Sequence, residues 1–256
     1  MSELDKNFDD RVRTFKKNIY GTSKGRIREA VLLRDLDGFM AGKGPLSILD
    51  IGGGQGQIAL KLAAMGHKVT ISDISNEMLE IAKTTATETG LVDVQFIHSS
   101  LQSLDSRVGE KFDLVMCHAV FEWLDKPDEA LSILKQFCQP CGAISLMFYN
   151  HTGQTLSNLV YGNFDYIRSG MKAKNVVKLN PQSSLKPEDV LLWCEALDLN
   201  VRVKSGVRCF HDYMRDISHW QTQFDSILEM ELEYSRLEPY ASIGRYMHLI
   251  LDAGEN

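Results

Sequence analysis

From Ser47 to Asn150 the chain alternates two hydrophobic periods, and few architectures accommodate that alternation. Short runs rich in Ile, Val and Leu at 47–52, 68–74, 94–100, 112–119 and 142–150 read as buried strands. The stretches 57–65, 76–90 and 128–137 repeat apolar residues at helical spacing, and Gly90 closes the second. Buried strands separated by amphipathic helices imply a parallel sheet covered on both faces, a doubly wound α/β fold. A content of 44% hydrophobic and 24% charged residues in 256 suits such a folded chain. The longest apolar runs fall far short of the roughly 20 residues that span a bilayer. The N-terminus, MSELDKNFDDRVRTFKK, is too polar for a secretory leader, so no membrane partner and a cytoplasmic location are expected. An odd count of five cysteines reads as reduced thiols.

The segment ILDIGGGQGQIAL, 48–60, carries the ligand signal. In a doubly wound sheet, ligands sit outside the carboxyl ends of the strands where strand order reverses, and this glycine run follows the first strand. Glycine lets the backbone turn through positive φ and lets a ligand approach the main chain. Gly54, Gly56 and Ala59 satisfy the loose dinucleotide pattern G-x-G-x-x-G/A, which leaves a nucleotide cofactor open in general. Asp50 extends the run to D-x-G-x-G-x-G, and Asp73 closes the second strand, where a carboxylate accepts from ribose hydroxyls.

Asp50 to Gly56 resembles the glycine motif of class I S-adenosylmethionine-dependent methyltransferases. FDLVMCHAVFEWLDKPDEAL and QPCGAISLMF resemble their fourth and fifth strand segments. The resemblance implies a mostly parallel, Rossmann-like sheet of seven strands and S-adenosyl-L-methionine as cofactor. It implies a cofactor motif of Asp50 with Gly52, Gly53 and Gly54, the glycines lying beside the methionine portion. Asp73 is implied on the ribose, Leu101 and Gln102 beside the adenine, and His118 facing the cofactor. The flanking segments NIYGTSKGRIREA, SLMFYN, GNFDYIRSGM, GVRCFHDYMRD and EPYASIGRYMH are similar to the bacterial tRNA 5-carboxymethoxyuridine carboxyl methyltransferases. That narrower likeness implies methyl ester formation on the wobble uridine of tRNA, in the anticodon loop, and a cofactor contact from Arg28.

Charge patterning is compatible with RNA. The formal net charge of −6 argues against indiscriminate binding to polyanions. Basic residues nevertheless cluster without acids between Arg11 and Arg28 and again between Tyr166 and Pro187. Lys16, Lys17, Lys172 and Lys174 are the candidate phosphate contacts; a merely solvated lysine face is the alternative.

A carboxylic acid is already ionised at neutral pH, so a carboxyl methyltransferase needs alignment more than acid–base chemistry. A cation must still select the carboxylate. Arg208 and Arg245 are candidates, although either can instead pair with Asp212 or Glu238. Tyr149 and Asn150, at the end of the fifth strand, and Tyr213 are candidate hydrogen-bonding partners of the substrate. His118 reads as a cofactor or packing contact ahead of a general base. The C-x-x-C at 138–141 has no second pair and the histidines form no H-x-x-x-H, so no metal is expected.

We read one domain over 1–256: a helical cap at 1–41 over the top of the sheet, a cofactor-binding core at 44–150, an insertion or lid at 151–184, and the rest of the sheet at 185–256. The last part is expected to contain a long helix at about 213–237 and an antiparallel final strand. Two other functions fit less of the sequence. A methyltransferase for a free small carboxylic acid leaves the basic segments unexplained, and a nicotinamide- or nucleotide-binding regulatory module leaves the arginines idle.

Overall fold

The computed structural model describes residues 22–104, 108–171 and 184–254. Its strands are β1 (Ser47–Ile51), β2 (Lys68–Asp73), β3 (Val94–His98), β4 (Phe112–His118), β5 (Cys138–Tyr149), β6 (Asn200–Val207) and β7 (Tyr246–Asp252). They form one seven-stranded sheet in the order β3-β2-β1-β4-β5-β7-β6. Pairings among β1 to β5 are parallel, while β7 runs antiparallel between β5 and β6, as the sequence led us to expect. Strand order reverses between β1 and β4. Their carboxyl ends, at Ile51 and His118, therefore open the crevice in which ligands of such sheets lie.

The helices before β5 are α1 (Ser23–Met40), α2 (Ala59–Ala64), α3 (Asn76–Glu88) and α4 (Pro127–Phe137). Local chemistry sets their ends. The Thr22 hydroxyl accepts from Gly25 N–H at 3.2 Å to start α1, and the Ser75 hydroxyl accepts from Met78 N–H at 3.3 Å to start α3. At α4, Pro127 takes the first position, Asp128 and Glu129 face the positive helix end, and Lys135 lies in the last turn. Between β5 and β6 come α5 (His151–Val160), α6 (Phe164–Arg168) and α7 (Pro187–Ala196). Then α8 (His219–Thr222), α9 (Phe224–Tyr234) and α10 (Tyr240–Ile243) lead to β7.

Alternate strand residues feed two cores. Ile48, Leu114, Met116, Met147 and Ile250 pack under α1, α2, α3 and α9; Leu49, Val115, Ile144 and Leu251 pack under α4 and α7. Helix α1 buries Ile27, Val31, Leu32, Leu36 and Phe39, so the described part of the N-terminal segment lies along a sheet face.

The long helix expected at 213–237 is broken. Asp216 Oδ1 accepts from Ser218 N–H at 2.8 Å, a side-chain turn that competes with helical pairing, and only α8 and α9 remain. The break leaves Glu231 of α9 buried beneath the turn after β6. Its carboxylate accepts from three successive backbone N–H groups, Cys209 at 2.8 Å, Phe210 at 2.9 Å and His211 at 3.1 Å. Glu231→Ala should therefore lower stability by roughly 2 to 5 kcal/mol, because it strands buried donors; Glu231→Gln, which keeps one acceptor, should lose less. Urea unfolding followed by tryptophan fluorescence measures both.

Candidate active site

The loop after β1 is shaped by contacts that exclude side chains. Gly52 has φ 68°, and a β-carbon there would stand 2.4 Å from Val120 Cγ2; at Gly53 it would stand 2.6 Å from Asp50 Oδ2. Both amides donate to Ser72 O of β2, at 2.8 and 3.1 Å. Asp73, at the end of β2, accepts from Gly54 N–H through Oδ2 and from Ser75 N–H through Oδ1, each at 2.8 Å. One carboxylate thus ties the glycine loop to the start of α3. A carboxylate has about four acceptor positions, so Asp73 retains capacity toward a ligand.

Next to this loop is a solvent-open cavity lined by Arg28, Asp50, Gly52, Gly53 and His118. Gly54 and Asp73 adjoin it through their mutual bond. Leu101, buried, and Gln102, exposed, lie on a 3-10 turn beyond the carboxyl end of β3, along the same sheet edge. Burial raises the Asp50 carboxyl to about 7, helped by the nearby charge of Asp73. Burial, with the Arg28 charge adding, drives the His118 pKa well below its ordinary value, so its ring is neutral.

A second group stands at the ends of β5, β6 and β7. Arg208 Nη2 lies 3.4 Å from Asp212 Oδ2 and Arg245 Nε lies 4.0 Å from the same oxygen. The Arg208 guanidinium sits 5.3 Å from the Tyr246 ring, the Arg245 guanidinium 5.0 Å from the Tyr149 ring, and the two rings are 5.5 Å apart. Lys24 of α1 belongs to the same group: burial pulls its pKa down, Arg208 and Arg245 add to that, and Asp212 opposes it. Burial pushes the Asp212 carboxyl up, but the His211 hydrogen bond and the charges of Arg208 and Lys24 outweigh it, so Asp212 is ionised. Glu238 is not a partner of either arginine; it pairs with Lys204 and accepts from Ser242 Oγ. Two guanidiniums therefore share one carboxylate, and the Lys24 ammonium, 4.8 Å over the Trp220 ring, is a third cation that feels its charge. Arg208 Nε is buried with no hydrogen-bond partner among the described residues.

Two expected substrate contacts are occupied elsewhere. Both amide protons of Asn150 are spent on Ser242 O at 2.9 Å and Gly244 O at 2.8 Å, while its oxygen caps Thr152 N–H at 3.0 Å. Tyr213 directs its hydroxyl to Gly153 O at 3.0 Å and Ile243 O at 2.7 Å. Both side chains brace the neighbouring backbone at 150–153 and 242–244. Tyr149 keeps its hydroxyl proton, since burial raises its pKa to about 12.

Lys16, Lys17, Lys172 and Lys174 lie outside the described residues. Of the described basic residues, Arg26 stacks 3.9 Å over the Phe224 ring and Arg168 pairs with Asp165 at 2.9 Å, so neither is a free phosphate contact.

Sequence reasoning missed Glu122. It follows β4 on a 3-10 turn, is buried, and its Oε2 has no hydrogen-bond partner among the described residues; burial raises it to about 7. The only sequence signal is an acid inside the apolar AVFEWL. Among the described residues no group of three or more His, Cys, Asp or Glu is arranged to hold a metal, and Cys138 is buried with its thiol raised to about 12.

Comparison with known proteins separates the superfamily from the family. Residues 48–142 match the methyltransferase domain family. The tRNA 5-carboxymethoxyuridine methyltransferase of Escherichia coli (strain K12) is 43% identical, covering 96% of this chain and 95% of that one. The chain belongs to that family. An ubiquinone biosynthesis O-methyltransferase of Pseudoalteromonas translucida (strain TAC 125) is 27% identical over 62% of this chain and 65% of its own. The magnesium protoporphyrin IX methyltransferase of Synechocystis PCC 6803, solved with bound S-adenosylhomocysteine, has the same fold. It superposes with a TM-score of 0.65 at 16% identity, covering 96% of this chain and 95% of that one.

The chain is an S-adenosylmethionine-dependent methyltransferase, and the residues present fit that cofactor. Gly52 and Gly53 leave no room for side chains beside Val120 and Asp50, and the carboxyls of Asp50 and Asp73 would be the groups to meet the polar ends of the cofactor. Asp73→Ala should weaken S-adenosylhomocysteine binding by about 1.5 to 3 kcal/mol, measured by calorimetry. Asp50 also couples folding to pH. Its folded-state pKa is raised from 3.8 to about 7, so the native state holds the proton longer than the unfolded chain. Its contribution to the stability of the cofactor-free protein is present at low pH and is lost as pH rises through that window. Asp50→Asn should flatten this fall in urea unfolding between about pH 4 and pH 7.

Proposed function

We propose that the enzyme methylates the carboxylate of 5-carboxymethoxyuridine at the wobble position of the tRNA anticodon loop, giving the methyl ester. The pairing of both Arg208 and Arg245 with the single carboxylate of Asp212, with the Lys24 charge adding to theirs, carries this reading. A positive surplus in a half-buried site attracts a second anion, and arginine matches a carboxylate with parallel N–H donors. The 43% identity to the Escherichia coli relative supports the choice of tRNA as the bearer of that carboxylate.

When bound, S-adenosylmethionine supplies an electrophilic methyl on a sulfonium. No residue has to remove a proton, because the substrate acid is already ionised. Arg208 and Arg245 hold the carboxylate, and the unpaired Arg208 Nε is an available donor. Asp212 draws off part of their charge, which keeps the substrate oxygen nucleophilic. Tyr149, still protonated, can donate a further hydrogen bond. Arg28, Asp50 and His118, which line the cavity beside the glycine loop, would hold the methyl donor. Basic side chains of the flanking segments, Lys16, Lys17, Lys172 and Lys174 among them, would meet the phosphates of the loop.

Incubation with S-adenosylmethionine and tRNA bearing the free acid, followed by mass spectrometry of the digested nucleosides, should show a base-labile methyl ester. Esterification of free metabolites with tRNA left unchanged would refute the assignment. Arg208→Ala and Arg245→Ala should each reduce kcat/KM for tRNA by about 10- to 150-fold, the equivalent of about 1.5 to 3 kcal/mol. Neither should alter S-adenosylhomocysteine affinity, because neither lines that cavity.

A further inference from the structure

A row of polar side chains crosses the apolar sheet face beneath α1. His118 Nε2 lies 2.8 Å from Ser145 Oγ, Ser145 Oγ lies 2.8 Å from His248 Nε2, and His248 Nδ1 lies 2.8 Å from Asp35 Oδ2. These residues stand on β4, β5, β7 and α1, and Asp35, Ser145 and His248 are fully buried. The other oxygen of Asp35 receives Arg34 Nη2 and Arg236 Nη2, each at 2.7 Å. The only member bordering the cofactor cavity is His118, and its Nδ1 has no hydrogen-bond partner among the described residues.

The hydrogen bonds can be assigned in one consistent direction. Burial pushes the Asp35 carboxyl up, but the His248 hydrogen bond and the Arg34 charge outweigh it and hold Asp35 ionised, so Asp35 accepts. Two guanidiniums already serve that carboxylate, and a proton on His248 would place a third positive charge on it. With a single ring proton, on Nδ1 toward Asp35, His248 leaves Nε2 as an acceptor. The Ser145 hydroxyl must spend its single proton on that nitrogen. Its oxygen then accepts from His118 Nε2–H, and the lone pair of His118 falls on Nδ1. With one proton on His248, reversing any link would set two donors or two acceptors against each other in the interior; a second proton, on His248 Nε2, would instead reverse the row and put the His118 proton on Nδ1.

We propose that Asp35, His248 and Ser145 are positioning residues that lock His118 in its Nε2–H tautomer. Nδ1 then faces the cofactor as a neutral acceptor for an N–H or O–H group, with no charge to repel the sulfonium. The second half of this inference rests on the cofactor reading of the cavity; the tautomer does not.

Long-range proton–nitrogen NMR of the full chain labelled with ¹⁵N-histidine tests it, His118 being identified by its loss in His118→Asn. The expected spectrum of the wild type shows His118 protonated at Nε2 and unprotonated at Nδ1. A proton on Nδ1 would overturn the proposal without any relay variant having to fold. Ser145→Ala should release the single tautomer and weaken S-adenosylhomocysteine binding about fivefold, the equivalent of one neutral hydrogen bond, whereas Ser145→Thr, which keeps the hydroxyl, should restore both. An unchanged tautomer and affinity in Ser145→Ala would sink the relay. Nδ1 unmoved by saturating S-adenosylhomocysteine, with the tautomer as expected, would instead reject the contact of His118 with the cofactor.

Discussion

The site depends on one backbone acceptor, the carbonyl of Ser72, which receives the amides of both Gly52 and Gly53. Two consecutive N–H groups can turn toward one oxygen only if the chain bends sharply at the end of β1, and φ 68° at Gly52 is that bend. The loop is thereby tied to β2 while Gly52 passes close to Val120 after β4, at the reversal of strand order. Asp73 completes the arrangement by holding Gly54 N–H at 2.8 Å. The residue proposed to meet the ribose is therefore the same residue that shapes the main chain of the loop. Affinity and loop geometry are coupled in this carboxylate, and a substitution there acts on both.

The sheet and its glycine loop were legible because their signals are local. Strand periodicity, the closing Gly90 after α3, and the spacing of Asp50 and Gly52 each occupy a few neighbouring residues, and Asp73 stands at the end of the next strand. The cation cluster was legible only in part. Arg208 and Arg245 stand out in GVRCFHDY and IGRYMH, but their common partner, and the inclusion of Lys24, come from folding three distant segments together. Asn150 and Tyr213 misled because a position at a strand end is equally good for a ligand contact and for bracing a neighbouring loop. Here the carbonyls of Ser242, Ile243 and Gly244 require donors, and they claim both side chains. The break in the expected long helix has the same character. Asp216 and Ser218 prefer a local turn to helical pairing, and hydrophobic spacing does not register that competition.

The polar row through His118, Ser145, His248 and Asp35 was invisible for a different reason. Each member sits alone in an apolar strand or helix, where a single histidine or serine reads as a tolerated exception, and the members are up to 213 positions apart. Burying them is acceptable only because the chain of bonds runs without interruption to two guanidiniums that still reach solvent. Such a row limits how β5 and β7 slide past one another, since Ser145 must meet rings on both sides.

Two carboxylates in this molecule are each served by two arginines, and their differences separate a structural device from a binding site. Around Asp35 the guanidiniums approach to 2.7 Å, and the remaining oxygen is filled by His248. Around Asp212 the distances lengthen to 3.4 and 4.0 Å, a third cation is near, and Arg208 Nε is left buried without a partner. Desolvated donors that are not satisfied internally raise the energy of the empty site and lower the cost of admitting an anion. The first cluster is closed, so adding an anion would break hydrogen bonds already made. The second is open, with a buried donor still unpaired among the described residues, as the proposed binding of a substrate carboxylate requires.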